Sequence, residues 1–321
     1  MINLLLECIG IEEESYMGKK ITIKDICSFL KSTNVEHRVT NAKEITISYF
    51  CPLNDLKNHS MTWIRKNHQL PINQLNQLDN VLLFAECGTE IKDALFPVIF
   101  VNEVHRTFFR VTEFFFGELN PEYGLKNRRI ESSAIVDTVN IGKGLYVGHH
   151  SYISPKVSIG NNVTIMHNVI IDGKVEIGDN TFIESGTVIG ACGFGYMENE
   201  AGKQEIVPHY AGVKIGKNVR LGANNTVIRG CLADTIIEDD VKTADLVCIS
   251  HNDVIKQGAM ITCGTVIAGS TIVGENTWIA PGAVINNAVN IGADSYIGIG
   301  SVVPTKIRKG KKVFGNPAKY I

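Results

Sequence analysis

An aliphatic side chain returns at every sixth position through much of the chain: Ile135, Ile141, Val147, Ile153, Ile159, Ile165, Ile171, Ile177, Ile183 and Ile189. The series resumes as Ile215, Leu221 and Val227. It then runs from Ile237 through Ile249, Ile255, Ile261, Ile267, Val273, Ile279, Ile285, Ile291 and Ile297 to Val303, with Thr243 breaking it. A period of six fits neither a helix nor a strand. It predicts a hexapeptide-repeat β-helix, in which each unit supplies one short strand and one turn and three units close a coil. No coil buries its own inner face, so the aliphatic side chains point inward and stack on the coils above and below. A sandwich or barrel would instead alternate over longer strands.

Small residues follow the aliphatic ones, as in Ile141-Gly142, Val147-Gly148, Ile159-Gly160, Ile177-Gly178, Ile215-Gly216 and Ile291-Gly292. They suit corners that need unusual backbone angles and close approach. Asn161, Asn162, Asp179, Asn180 and Asn218 tolerate the same corners.

Residues before the ruler read differently. Of thirteen Phe, ten precede residue 131, but only five of thirty Gly do. The shift, near Asn127 to Glu131, divides the chain into a mixed α/β domain, 1–128, and a solenoid, 129–321. In the first domain the pattern predicts helices over Ile23 to Lys31 and Glu103 to Phe116. Strands are expected around Glu44 to Phe50, Met61 to Arg65, Val81 to Ala85 and Val98 to Val101. Trp63, beside Arg65, Lys66 and Asn67, either packs in a core or offers a platform for a planar base.

Net charge is −2, so no broad basic field points to nucleic acid. The eight Cys show no C-x-x-C spacing. Met1 to Gly10 lacks a signal-peptide layout, and the longest apolar run of the first domain, Ala94 to Val101, is too short to span a bilayer. A cytoplasmic protein with reduced thiols and no membrane association is expected.

Two faults interrupt the ruler. An insertion loop, 190–212, carries Gly193-Phe194-Gly195-Tyr196, a polar run, and Val207-Pro208-His209; excursions from a repeat array usually map to its binding face. Glycines flanking Phe194 and Tyr196 would let those aromatics swing out and the backbone approach a ligand. The alternative is a surface insertion whose aromatics fold back on the coils. The second fault, Arg229 to Thr235, slips the ruler by four residues and precedes Ser250-His251-Asn252-Asp253. His251 lies two places after inward Ile249 and should project from a corner, where an imidazole can take a proton from an amine near neutral pH. Asn252 or Asp253 could orient it. His149 and His167 share that phase and should stack one coil over the other, but two ligands do not make a metal site, so no metal is expected.

Gly193-Phe194-Gly195-Tyr196 with its polar loop, Asn225-Thr226-Val227-Ile228-Arg229-Gly230, Asp234-Thr235-Ile236-Ile237 and Ser250-His251-Asn252 resemble the corresponding run of the UDP-3-O-acylglucosamine N-acyltransferases of lipid A synthesis. The resemblance implies a left-handed β-helix, a homotrimer and His251 as general base, with Asn252 beside it. It also implies an oxyanion donor from a backbone amide one coil further on, which falls at Gly269. Phe194 and Tyr196 would line the acceptor or acyl pocket, and Trp63 would take the place of the base-stacking aromatic.

The chain departs from that family at Ile228, where a carboxylate is expected, and around Lys66 and Asn67. Its ending, Lys311-Lys312-Val313-Phe314-Gly315-Asn316-Pro317-Ala318-Lys319, has no helical extension and is similar to the coenzyme-A-dependent hexapeptide acyltransferases. By that likeness Ser301, Lys306, Lys312, Asn316, Pro317 and Lys319 would hold the coenzyme, the lysines serving its phosphates. The expected function is transfer of an acyl group from acyl-CoA, as cosubstrate, to the amine of a nucleotide-linked amino-deoxy sugar. The resemblance is to the anthrose-pathway type, acting on dTDP-4-amino-4,6-dideoxyglucose. Alternatives are the lipid A reaction with acyl carrier protein, a zinc hydratase, or a passive scaffold.

Overall fold

The six-residue period becomes three sheets wound from one chain, parallel throughout except where Lys319–Tyr320 returns antiparallel on Lys312–Phe314. The computed structural model describes residues 20–66, 68–120 and 129–321. The chain divides into two compact units, Met1–Gly124 and Leu125–Ile321. The expectations for Met1 to Gly10, Asn67 and Asn127 fall outside the described residues.

In the second unit, the first face has nine strands, from Ile135–Val136 to Val302–Val303. The second has seven, from Val157–Ile159 to Asn290–Ile291, and the third ten, from Tyr146–Val147 to Lys319–Tyr320. Every coil visits the third, first and second faces in turn. Register follows the ruler: Ile153 pairs Ile171, Ile171 pairs Ile189, Val227 pairs Ile249, and Ile249 pairs Ile267. These side chains stack in one apolar column with almost no exposure. Full burial of each contributes about 1.5–3 kcal/mol, which is why the period fixes the register so firmly.

The start of the ruler differs from expectation. Val136, not Ile135, pairs with inward Ile153 and packs against the core, and Ile135 is exposed. The first coil is one residue short of the regular 18, as Ile130 opposite Val147 and Ile141 opposite Ile159 show. The inward phase therefore moves by one between Val136 and Ile141.

The corner residues also divide their work more finely than the sequence suggests. A Cβ on Gly142 or Gly178 would strike the backbone of the next coil, at Gly160 or Gly216, so these glycines answer close stacking. The left-handed angles belong to Asn162, Asn180 and Asn218, with φ near +55°. Asn161 and Asp179 instead accept backbone N–H bonds from the preceding coil, Lys143 N to Asn161 Oδ1 at 3.0 Å and Asn161 N to Asp179 Oδ1 at 2.7 Å.

In the first unit, β1 (Ile21–Thr22) leads into α1 (Ile23–Ser32), whose start is closed by a capping box: Asp25 N donates to Thr22 Oγ1 and Thr22 N to the Asp25 carboxylate. A five-stranded sheet follows. In chain order it comprises β2 (His37–Thr40), β4 (Tyr49–Phe50), β5 (Ser60–Ile64), β6 (Leu82–Glu86) and β7 (Val98–Val101), arranged β2-β7-β6-β5-β4. β3 (Thr46–Ile47) pairs β1 instead, so the strand expected over Glu44 to Phe50 is broken at Ser48. One side of the sheet packs on α1 and on the long helix Val104–Phe116; the other packs around Leu75 and Phe96. β2 escaped the sequence reading because it is an edge strand with no fully buried side chain.

Candidate active site

Both faults of the ruler open at one corner, between the first and second faces. The insertion joins the first-face strand Val188–Ala191 to the second-face strand Val213–Ile215. The slip joins Thr226–Ile228 to Thr235–Ile237. On the next coil the same corner carries Ser250 to Asp253, and on the one after it Ala268 to Ser270. Winding thus gathers segments far apart in sequence along one edge.

Within the insertion, Tyr196–Glu198 and Gln204–Ile206 pair as an antiparallel hairpin that projects from the coils. Phe194 and Tyr196 sit at its base with rings 5.0 Å apart and are 90% and 50% exposed, so they do not fold back on the coils. The glycines around them have a different purpose from the one expected. A Cβ on Gly193 would lie 2.5 Å from His209 Nε2, and one on Gly195 would lie 3.3 Å from His209 Cε1. The close approach is to an imidazole of the same insertion.

The slip loop is tied to the corner below it through Asn252. Asn252 Nδ2 donates to Ala233 O at 2.8 Å, Cys231 N donates to Asn252 Oδ1 at 3.2 Å, and Asn252 N donates to Thr235 Oγ1 at 2.9 Å. This network orients the amide. Its oxygen also faces His251 Nδ1 at 3.1 Å. An amide oxygen only accepts, so Nδ1 carries the hydrogen and Nε2 presents its lone pair.

His251 is half-buried and packs against Gly269: a Cβ there would stand 2.6 Å from Cε1 and 2.7 Å from Nε2. Gly269 N–H finds no acceptor among the described residues, whereas the neighbouring Ser270 N bonds His251 O at 2.9 Å. The His209 ring lies 5.3 Å from that of His251. In the sequence His209 only ends the insertion, and the signal that points to it is an aromatic, glycine-flanked loop closing on a histidine.

Asp253 turns inward and does not orient His251. Fully buried, it accepts Ser250 N and Thr271 N, each at 2.8 Å, and so braces the turn. Burial pushes its carboxyl up to about 8, with the two N–H bonds pulling the other way. Burial, and then Asp253, also raise the Cys248 thiol, which therefore offers no ready thiolate. Asp234 secures both faults by accepting Gly212 N at 2.7 Å beside Lys214 and Lys174. Burial works against its ionisation, but the Gly212 bond and the two lysines prevail and hold the carboxyl below its ordinary value.

His149 and His167 stack with centroids 5.7 Å apart, but at the corner between the third and first faces, away from the His251 edge. No group of three or more His, Cys, Asp or Glu among the described residues could hold a metal ion. No helix among them is long and apolar enough to cross a membrane.

The remaining expected residues scatter. Lys306 is exposed at the His251 corner, three coil rises away, about 14 Å at the usual strand spacing. Lys312 lies on the third face opposite Tyr296; Asn316, Pro317 and Lys319 follow it in an exposed return. Ser301 is fully buried, and its hydroxyl accepts Gly315 N at 3.1 Å, so it anchors that return from inside. Trp63, in the first unit, packs edge-on against His105 and near Phe108 and Phe109, half-buried, with the Arg65 guanidinium 5.5 Å from its ring.

Comparisons with known proteins agree with the solenoid. Residues 156–191 match the family model described as bacterial transferase hexapeptide (six repeats). A UDP-3-O-acylglucosamine N-acyltransferase of Helicobacter pylori is 40% identical over 163 residues, 49% of this chain and 48% of its own. The enzyme of that name from Shewanella denitrificans is 47% identical over 89 residues, 28% of this chain and 26% of its own. The chain spans about half the length, or less, of these relatives. A crystal structure of a UDP-N-acetylglucosamine acyltransferase from Bacteroides fragilis superposes with a TM-score of 0.54 at 25% identity, covering 60% of this chain and 74% of that one. The chain thus carries a parallel hexapeptide-repeat β-solenoid whose relatives are named as acyltransferases of UDP-sugars.

Proposed function

We propose that the protein is an N-acyltransferase that moves an acyl group from a thioester to the amine of a nucleotide-linked sugar, with His251 as general base. The observation that carries this reading is the state of His251: Nδ1 committed to Asn252, the ring seated on Gly269, and Nε2 left as an acceptor at the corner both insertions open. The amine nitrogen attacks the thioester carbonyl, His251 Nε2 takes its proton, and the unpartnered Gly269 N–H stabilises the oxyanion. Collapse breaks the C–S bond, and the imidazolium returns the proton to the leaving thiolate. Holding amine and thioester together supplies several kcal/mol of the acceleration.

The first domain, with Trp63, would hold the nucleotide, and Phe194 and Tyr196 would flank the sugar or acyl chain. Lys306, on the His251 edge, favours a donor lying along that corner with its phosphates at the far end, and so acyl-CoA. The finer acceptor reading is a dTDP-linked amino-deoxy sugar. The names of the curated relatives favour a second reading, a UDP-linked acylglucosamine, with an acyl carrier protein as donor. Support for a homotrimer comes from an apolar stripe on the first face beside the corner, where Ile170, Val266 and Val284 are each more than 40% exposed.

A thermal-shift screen of UDP, dTDP, CoA and acyl carrier protein separates these readings, since a ligand that binds the folded state raises its melting temperature. If no nucleotide and no donor stabilises the protein, the transferase reading falls.

A further inference from the structure

The insertion reaches the His251 ring through His209. His209 ends the returning limb, and its ring stands 5.3 Å from that of His251 with the planes at 77°. His209 is only 8% exposed. Its Nδ1 faces Val207 O at 2.8 Å, so Nδ1 carries the hydrogen and Nε2 is an acceptor. That Nε2 is buried with no hydrogen-bond partner, against Gly193. Two other groups face this segment: Cys192 Sγ, 3.7 Å from His209 Nδ1, and Cys231 Sγ, 3.5 Å from Pro208 O. An unpaired buried acceptor is unfavourable for the fold, and where a protein keeps one it calls for an explanation in the site.

We propose that His209 is a positioning residue for the base. Gly269 supports the His251 ring and Asn252 holds its Nδ1; His209 adds a third contact that keeps the ring in the plane from which Nε2 meets the amine. A flat ring fits this place because Gly193 and Gly195 carry no side chain: a Cβ on them would lie 2.5 Å and 3.3 Å from the imidazole. A small side chain would leave a void into which the His251 ring could turn. The insertion thereby acts on the base as well as on the pocket. This inference rests on the reading of His251 as general base.

The test compares wild type with His209→Ala and His209→Phe by acyl-transfer kinetics, melting temperature and nitrogen NMR of the His251 ring. In wild type, His251 should be a single Nδ1–H tautomer. His209→Ala should mix the tautomers and lower kcat at least tenfold, with the acceptor KM within twofold of wild type. His209→Phe should restore kcat to within threefold. If His209→Ala fails to fold, His209→Ser replaces it; if His209→Phe fails to fold, the tautomer and kcat of the small-side-chain variant decide. An unchanged tautomer and kcat in the Ala variant would overturn the proposal. So would a loss confined to KM, or a folded flat-ring variant as slow as Ala. If wild type transfers no acyl group, the functional reading fails, and the NMR comparison alone decides whether His209 holds the ring.

Discussion

The His251 imidazole is seated so closely on Gly269 that a methyl group there would overlap it, 2.6 Å from Cε1 and 2.7 Å from Nε2. Gly269→Ala must therefore displace the base or the backbone that carries the free N–H. A kcat roughly 10²-fold lower is expected, the scale of losing one oxyanion donor, with little change in melting temperature because the site is at a corner and not in the apolar column. Steady-state kinetics beside a melting curve check both halves.

Asn252 connects three things: the His251 Nδ1–H, the slip loop through Ala233 O and Cys231 N, and Thr235. Asn252→Ala frees the imidazole to exchange tautomers and should lower kcat about 10- to 100-fold, or about 1.4–2.7 kcal/mol. Asn252→Asp keeps the acceptor for His251 but loses the donor to Ala233, and should fall between wild type and Ala. Equal rates in all three would remove Asn252 from the account.

Asp253 links the site to stability. Its carboxyl, raised by burial to about 8, holds a proton in the folded state that the unfolded chain releases near 3.8. Its contribution is fully present below pH 4 and is lost as pH rises toward 8, so stability should fall across that interval and level off above it. Urea midpoints at pH 5, 6, 7 and 8 should show the decline in wild type and a shallower one in Asp253→Asn. Parallel curves for the two proteins would place the pH dependence elsewhere.

Sequence alone revealed the solenoid because its register depends on one side chain in six, and burial penalises every other phase. The corner was legible because insertions are where the count fails, whereas Gly269 came from the family resemblance, with the coil length giving only its number. The rest depends on contacts the count does not encode. Ile135 and Val136 are equally aliphatic, and only a coil shortened by one residue decides between them. His209 lies inside the excursion, where no period applies. Asp253 and Asn252 were interchangeable as partners for His251 until the turn pointed one inward and the other toward the slip loop. Ser301 entered as a coenzyme residue through the likeness of the chain's ending to coenzyme-A-dependent enzymes, and the count of six does not show that its side chain is fully buried.

The donor reading distinguishes between lysines. Lys306 shares the His251 corner, whereas Lys312 lies on the third face. Lys306→Ala should raise the KM for acyl-CoA roughly 2- to 10-fold, about 0.4–1.4 kcal/mol for an exposed phosphate contact, and leave the acceptor KM alone. Lys312→Ala should change neither by more than about twofold. The reverse pattern would move the donor to another face.

The most direct measurement is the rate of N-acylation of UDP- and dTDP-linked amino sugars by wild type and His251→Ala, with acyl-CoA and acyl carrier protein as donors, across pH 5 to 9. The account predicts transfer by wild type with at least one donor and acceptor, and a loss of at least about 10²-fold in His251→Ala at neutral pH, within the range expected of a general base. Full activity of His251→Ala over that range would contradict it.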